Sequence, residues 1–217
     1  MLEINIGKAI PLGSSITKNG VNFCIAATNA KLVEILIFDH KNSTSASYTI
    51  KLDENYKSGP YWHAEVVGLK EGAIYAYRIY QKDNGINNDY SKKILIDPCS
   101  RGIVGWEKYR REESINKNYN INNCLKSVVC EREKFNFNDY PRPKHSWKES
   151  IIYELHITAF TKGLDSKSTN QREGYFRRIL RKIPYLKELG ITTIELLPIF
   201  CFDPQDAPSG LENFWGY

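Results

Sequence analysis

The chain has 217 residues, 41% of them hydrophobic, 25% charged and 12% aromatic. With 14 Tyr, 9 Phe and 4 Trp it has ample surface to bury, which excludes disorder, and no run reaches the ~18 apolar residues of a membrane span. The net charge of +5 is mildly basic. Its dense stretches, residues 101–111 and 172–187, interleave cations with apolar residues and match no nucleic-acid motif, so they read as solvated faces. The first residues, Met1-Leu2-Glu3-Ile4-Asn5-Ile6-Gly7-Lys8, lack the charged and apolar regions of a secretory signal. The five cysteines (Cys24, Cys99, Cys124, Cys130, Cys201) form no C-x-x-C, so reduced thiols in a cytoplasmic protein are expected, and no zinc site. Length predicts one large domain, or one small domain plus part of another.

In chain order, the first signal is Asn19-Gly20, which predicts a type I′ hairpin with positive φ at both central positions. Val21, Phe23, Ile25 and Ala27 then share one face of a strand, and Val33, Ile35 and Ile37 share one face of the next. Further β-prone runs cover residues 48–52, 61–67, 73–80 and 93–96, with turn signals between them, including one at 83–88. Short strands at spacings of roughly 8–12 residues predict an all-β sandwich of immunoglobulin-like type. Trp62, Tyr75, Tyr77 and Tyr80 sit in these strands, where alternate aromatics fill a core; a sugar-stacking platform would need several exposed on one face.

After Pro98 the periodicity is lost. Residues 103–148 are rich in Asn and charge and hold Pro141-Arg142-Pro143, which predicts a connector, with a short strand at 126–130. Residues 151–157 then form a nearly continuous β-prone run, expected as a strand buried on both faces. A polar stretch at 162–171 follows. Phe176, Ile179, Leu180, Ile183, Leu186 and Leu189 recur at helical spacing, and Gly190 supplies the stop. Pro184 either kinks this helix or opens its second half. Residues 191–197 read as a second buried strand, completing a right-handed strand–helix–strand unit. Its sheet edges are left uncovered, and Trp215-Gly216-Tyr217 is an unusually apolar place to stop.

Several of these segments resemble one family. Tyr153-Glu154-Leu155-His156 with Phe160-Thr161, residues 183–191, Ile194-Glu195-Leu196-Leu197-Pro198, and Asn213-Phe214-Trp215-Gly216-Tyr217 are similar to the opening of the α-amylase superfamily, glycoside hydrolase family 13. Their order resembles its isoamylase-type glycogen-debranching branch. Pro11-Leu12-Gly13, Gly20-Val21-Asn22-Phe23, Asn29-Ala30, Val33-Glu34, Phe38-Asp39, Gly68-Leu69 and Ile94-Leu95-Ile96-Asp97-Pro98 resemble the carbohydrate-binding module family 48 sandwich that precedes the barrel in such enzymes. The resemblance runs collinearly over nearly the whole chain. It departs at Asn87-Asn88-Asp89-Tyr90-Ser91, where debranching enzymes usually carry Arg-Phe-Asn-Pro, and at Arg172-Glu173-Gly174-Tyr175-Phe176, where Gly-Thr-Tyr is frequent. These departures bear on subfamily specificity.

The resemblance implies a sandwich over residues 1–102, a connector over 103–148, and over 149–217 the truncated start (β1-α1-β2) of a (β/α)8 TIM barrel that hydrolyses α-1,6 branch points of a glycogen-like α-glucan. Retaining glycosidases need two carboxyls. The family's catalytic Asp, Glu and Asp follow later strands than this chain reaches, so no catalytic residue is assigned and the chain alone is expected to be inactive. Tyr217 matches the family tyrosine that stacks on the sugar at the cleavage subsite, although at the last position it has few neighbours to fix its ring. Glu154 and Glu195 lie mid-strand and read as structural. Asp203 and Asp206 read as solvated loop residues, and His156 as a hydrogen-bonded barrel histidine. No cofactor or metal is implied. The expected partner is an α-glucan, with neither nucleic acid nor membrane, and the remainder of the barrel could be supplied as a separate chain. The competing readings are a non-catalytic glucan-binding module, or the opening of a glucan branching enzyme or trehalose-releasing hydrolase.

Overall fold

The computed structural model describes residues 2–81, 92–132, 135–138, 140, 142–162 and 175–217. The turn expected at 83–88, the first proline of Pro141-Arg142-Pro143, most of the polar stretch at 162–171 and the segments 87–91 and 172–174 lie outside the described residues. The chain divides into two units, residues 1–134 and 135–217.

In the first unit β1 (Ile4–Ile6), β2 (Gly13–Ile16), β3 (Gly20–Ala26), β6 (Lys57–Ser58) and β7 (Tyr61–Val67) form one antiparallel sheet of order β1-β7-β3-β2, with β6 on β7. A second antiparallel sheet, of order β5-β4-β8-β10-β9, holds β4 (Ala30–Phe38), β5 (Tyr48–Leu52), β8 (Ile74–Gln81), β9 (Gly102–Val104) and β10 (Lys126–Val128). Period-two alternation brings Val21, Phe23 and Ile25 of one sheet against Val33, Ile35 and Ile37 of the other. Trp62, Tyr75 and Tyr77 fill the same core at 0%, 0% and 1% exposure, which removes them from any sugar platform. Each such side chain contributes about 1.5–3 kcal/mol by leaving water. Two of the polar ends are paired, Trp62 Nε1 donating to Ala27 O (3.0 Å) and Tyr75 Oη to Asp97 Oδ2 (2.8 Å), while the buried Tyr77 Oη has no hydrogen-bond partner among the described residues. Glu34, on the other face of β4, is buried too, and accepts from Arg78 Nη1 (3.1 Å) and Tyr80 Oη (3.2 Å).

The Asn19-Gly20 hairpin forms with a different turn. Ile16 pairs with Val21, so residues 17–20 make the connection, closed by Thr17 N–H donating to Gly20 O (2.9 Å). Gly20 has no positive φ; it lies in β3 opposite Val67, where a Cβ would stand 2.1 Å from Val66 O. The glycine serves close approach of two strands instead of a left-handed turn.

Residues beyond 102 do more than connect. β10 pairs with β8 (Ser127↔Tyr75) and β9 pairs with β10. Ile94, Ile121 and Cys124 pack on Leu36, Phe38 and Ala76, covering the outer face of the second sheet. This covering segment is held by side-chain amides: Asn120 Oδ1 accepts from Ile94 N–H (2.9 Å) and Asn120 Nδ2 donates to Ile94 O (3.1 Å). Such bonds leave no period-two trace in the sequence, which is why an Asn-rich stretch reads as a loop.

In the second unit β11 (Ile152–Leu155) and β12 (Thr193–Leu196) pair in parallel, Ile152↔Thr193 through Leu155↔Leu196. Between them lie α2 (Ile157–Thr161), α3 (Tyr175–Leu180) and α4 (Ile183–Glu188). A five-residue helix in the first unit, α1 (Arg111–Ile115), precedes these. The helical pattern is broken before Pro184, which sits in the first turn of α4, where its missing N–H costs nothing. Gly190, at φ +86°, follows the end of α4. The expectation of strands buried on both faces is corrected: all four residues of β12 are exposed, and Leu155 alone of β11 is buried. Side chains of a strand point to the two faces of the sheet, and a sheet of two strands offers little face for other elements to cover, so Ile194 and Leu196 are 36% and 37% exposed.

Candidate functional site

Parallel strands place the residues that follow them at a common end of the sheet. At the C-terminal ends of β11 and β12 there is a cleft of about 600 Å³, lined by Glu154, Leu155, His156, Ala159, Leu197, Trp215 and Tyr217. The rings of His156, Trp215 and Tyr217 and the side-chain carboxylate of Glu154 share this space.

His156 occupies the N-cap of α2. Its Nδ1 accepts from Ala159 N–H (3.2 Å), and its Nε2 stands 3.0 Å from Phe214 O. A nitrogen that accepts carries no proton, so the neutral ring is protonated at Nε2 and donates to Phe214 O. The imidazole also stacks on Phe214 (4.6 Å between centroids, 19°) and meets Trp215 edge-on (5.9 Å, 88°). Asn213 braces the same turn: its Oδ1 accepts from Gly216 N–H (3.0 Å) and its Nδ2 donates to Tyr217 O (2.6 Å). Gly216, at φ +81°, lies over the ring of Phe202, which a Cβ would meet at 3.1 Å.

The residues singled out from sequence separate here. Tyr217 lines the cleft and is 76% exposed as a residue. Glu154 lines it as well, while its register partner Glu195 does not, although the two strands set these carboxylates side by side. Asp203 turns the loop after β12, accepting from Gln205 N–H at Oδ1 (2.9 Å) and from Asp206 N–H at its carbonyl (3.2 Å), and neither Asp lines the cleft. Sequence reasoning assigned no role to Trp215 or Ala159. The signal for Ala159 was available in outline, because a polar residue that ends a strand and opens a helix is an N-cap candidate.

The strongly perturbed ionisable groups belong to the first unit. Burial pushes the Cys24 thiol up to about 11, with the Asp97 carboxylate adding to the effect. Burial also raises Asp97 and, further, the phenols of Tyr75 and Tyr77. Lys93 is lowered by burial while its ammonium donates to Glu113 O. Tyr75, Asp97 and Lys93 tie the second sheet to the chain that follows it, through Tyr75–Asp97, Asp97–Ser127 and Lys93–Glu113 contacts, and read as structural. Among the described residues no three His, Cys, Asp or Glu side chains gather as a metal site would need, and no helix is long and apolar enough to cross a membrane.

Residues 11–100 match the family model Carbohydrate-binding module 48 (Isoamylase N-terminal domain). Along its full length the chain is 28% identical to the glycogen debranching enzyme of Pectobacterium atrosepticum, spanning 34% of that protein. Over 98% of its length it is 30% identical to the glycogen operon protein GlgX homolog of Haemophilus influenzae, spanning 32% of it. The chain thus spans about a third of the length of the curated relatives it matches. Among solved structures, it is similar to the catalytic module of the multi-modular glycogen-degrading pneumococcal virulence factor SpuA (TM-score 0.64, 21% identity, 91% of this chain and 28% of that one). It is similar also to the pullulanase of Bacillus acidopullulyticus (TM-score 0.56, 18% identity, 88% and 22%). At these identities the likeness concerns the fold. The module 48 match ends at residue 100, whereas the sheet that it contributes to continues through β9 and β10.

Proposed function

We propose that these 217 residues are the N-terminal portion of a cytoplasmic α-glucan debranching hydrolase that cleaves α-1,6 branch linkages of a glycogen-like polymer. The observation that carries this reading is the cleft at the C-terminal ends of two in-register parallel strands, walled by Trp215 and Tyr217. Barrel enzymes build their sites at that end of the strands. On this reading β11, the helices after it and β12 are the opening strand–helix–strand of a (β/α)8 barrel, and the sandwich of residues 1–134, with β9 and β10 included, is its binding module. Tyr217 stacks on the apolar face of a glucose ring, and an electron-rich phenol there favours positive charge developing on the sugar. Glu154 is not given the role of nucleophile or acid, because a retaining or inverting mechanism needs a second carboxyl facing it across the bond, and Glu195 does not line the cleft. The family resemblance assigns hydrolysis to carboxylates of later barrel strands, so residues 1–217 alone should release no linear chains from glycogen.

The match to module 48 favours a second reading, a glucan-binding module without catalysis. Affinity electrophoresis through glycogen, run on residues 1–217 and on residues 1–134, separates the two. Retardation of the whole chain alone points to the cleft, and equal retardation of both points to the module. Free migration of both, at glycogen concentrations that retard a known glucan-binding protein, would contradict glucan recognition altogether.

A further inference from the structure

We infer that His156 is a positioning residue: it clamps the turn at residues 213–217, and so fixes Tyr217 at the cleft. This rests on the reading of the cleft as a sugar site, and goes beyond it by naming what orients the sugar-facing ring. One imidazole joins two segments about 58 positions apart in the chain. Its Nδ1 is committed to Ala159 N–H in the first turn of α2, which sets the proton on Nε2 and aims it at Phe214 O. Its face is covered by Phe214 and its edge by Trp215, so the ring has little rotational freedom. The turn it grips is closed internally by Asn213 on Gly216 N–H and Tyr217 O, and its glycine leaves no room for a side chain over Phe202. Phe214, Trp215 and Tyr217 are 52%, 52% and 76% exposed, so burial alone does not hold them. Directional bonds hold them as well: Asn213 N–H donates to Pro204 O (3.0 Å), and His156, directly after β11, supplies the bond to Phe214 O.

The two ring nitrogens can be tested apart. In His156→Asn the side-chain oxygen takes the place of Nδ1 and remains a good N-cap for α2, but the amide is too short to reach Phe214 O. In His156→Gln an amide donor extends toward Phe214 O. The full 217-residue chain is followed by hydrogen exchange at the Gly216 amide, with the β11 and β12 amides as the folding control, and by titration with maltotriose. The clamp predicts that His156→Asn leaves β11 and β12 protected, speeds Gly216 exchange at least tenfold and weakens maltotriose binding several-fold. His156→Gln should restore part of both. Unchanged Gly216 exchange in a folded His156→Asn would overturn the proposal, as would equal loss in the Asn and Gln variants. If the wild-type chain binds no maltotriose, the sugar reading falls, while Gly216 exchange still decides the clamp.

Discussion

Asp97 accepts hydrogen bonds from Tyr75 Oη and Cys99 N–H, yet burial outweighs both and lifts its carboxyl above the ordinary carboxylate range. The folded state therefore holds this proton more tightly than the unfolded chain, whose Asp titrates near ~3.9. Its stabilising contribution is fully present below the unfolded value, falls as pH rises through the folded one, and is flat above it. Asp97→Asn, which keeps an acceptor and an amide that Tyr75 Oη can accept from, removes that decline. Urea midpoints measured from pH 4 to 7 should show a wild-type decrement that the variant lacks, with the variant equal or more stable at pH 7. A variant destabilised by more than about 2 kcal/mol at pH 7 would show that the ionised carboxylate is required. At this scale the sequence was legible for Trp62, Tyr75 and Tyr77, whose alternation marks the core. It was silent on Asp97 as a junction, because its partners Tyr75 and Ser127 lie 22 and 30 residues away.

At the scale of elements, Gly20 shows how a correct motif can carry a wrong reason. Asn19-Gly20 announces a hairpin, and the hairpin is there, but the glycine is selected by Val66 O across the sheet. Gly20→Ala should therefore cost about 2 kcal/mol or more, measured by chemical denaturation, because backbone and not a pliable side chain must move. A loss near zero would mean that β3 and β7 can part freely. The helical pattern around Pro184 was legible as two alternatives, and the first-turn position of Pro184 in α4 decides between them. The exposure of β12 was not legible, since an apolar β-prone run says that a strand wants burial on both faces, not whether the sheet is wide enough to give it.

For the whole molecule, the sandwich and the parallel pair were both readable, while the extent of the first unit was not. The connector reading starts at 103, but β10 and Ile121 and Cys124 belong with the second sheet, whose outer face they cover. A chain cut after residue 102 should unfold at lower denaturant than residues 1–134 and should expose Leu36, Phe38 and Ala76 to an apolar dye; indistinguishable midpoints would show that the covering segment adds nothing. The central claim is that the cleft beyond β11 and β12 receives a glucose ring on Tyr217. Titrating maltotriose into the 217-residue chain and its Tyr217→Ala variant, read at the Gly216 amide, tests it most directly. The account predicts saturable binding in the wild type and a loss of about tenfold, ~1.4 kcal/mol, in the variant. Equal affinities, or shifts confined to residues 1–134 in both proteins, would contradict it.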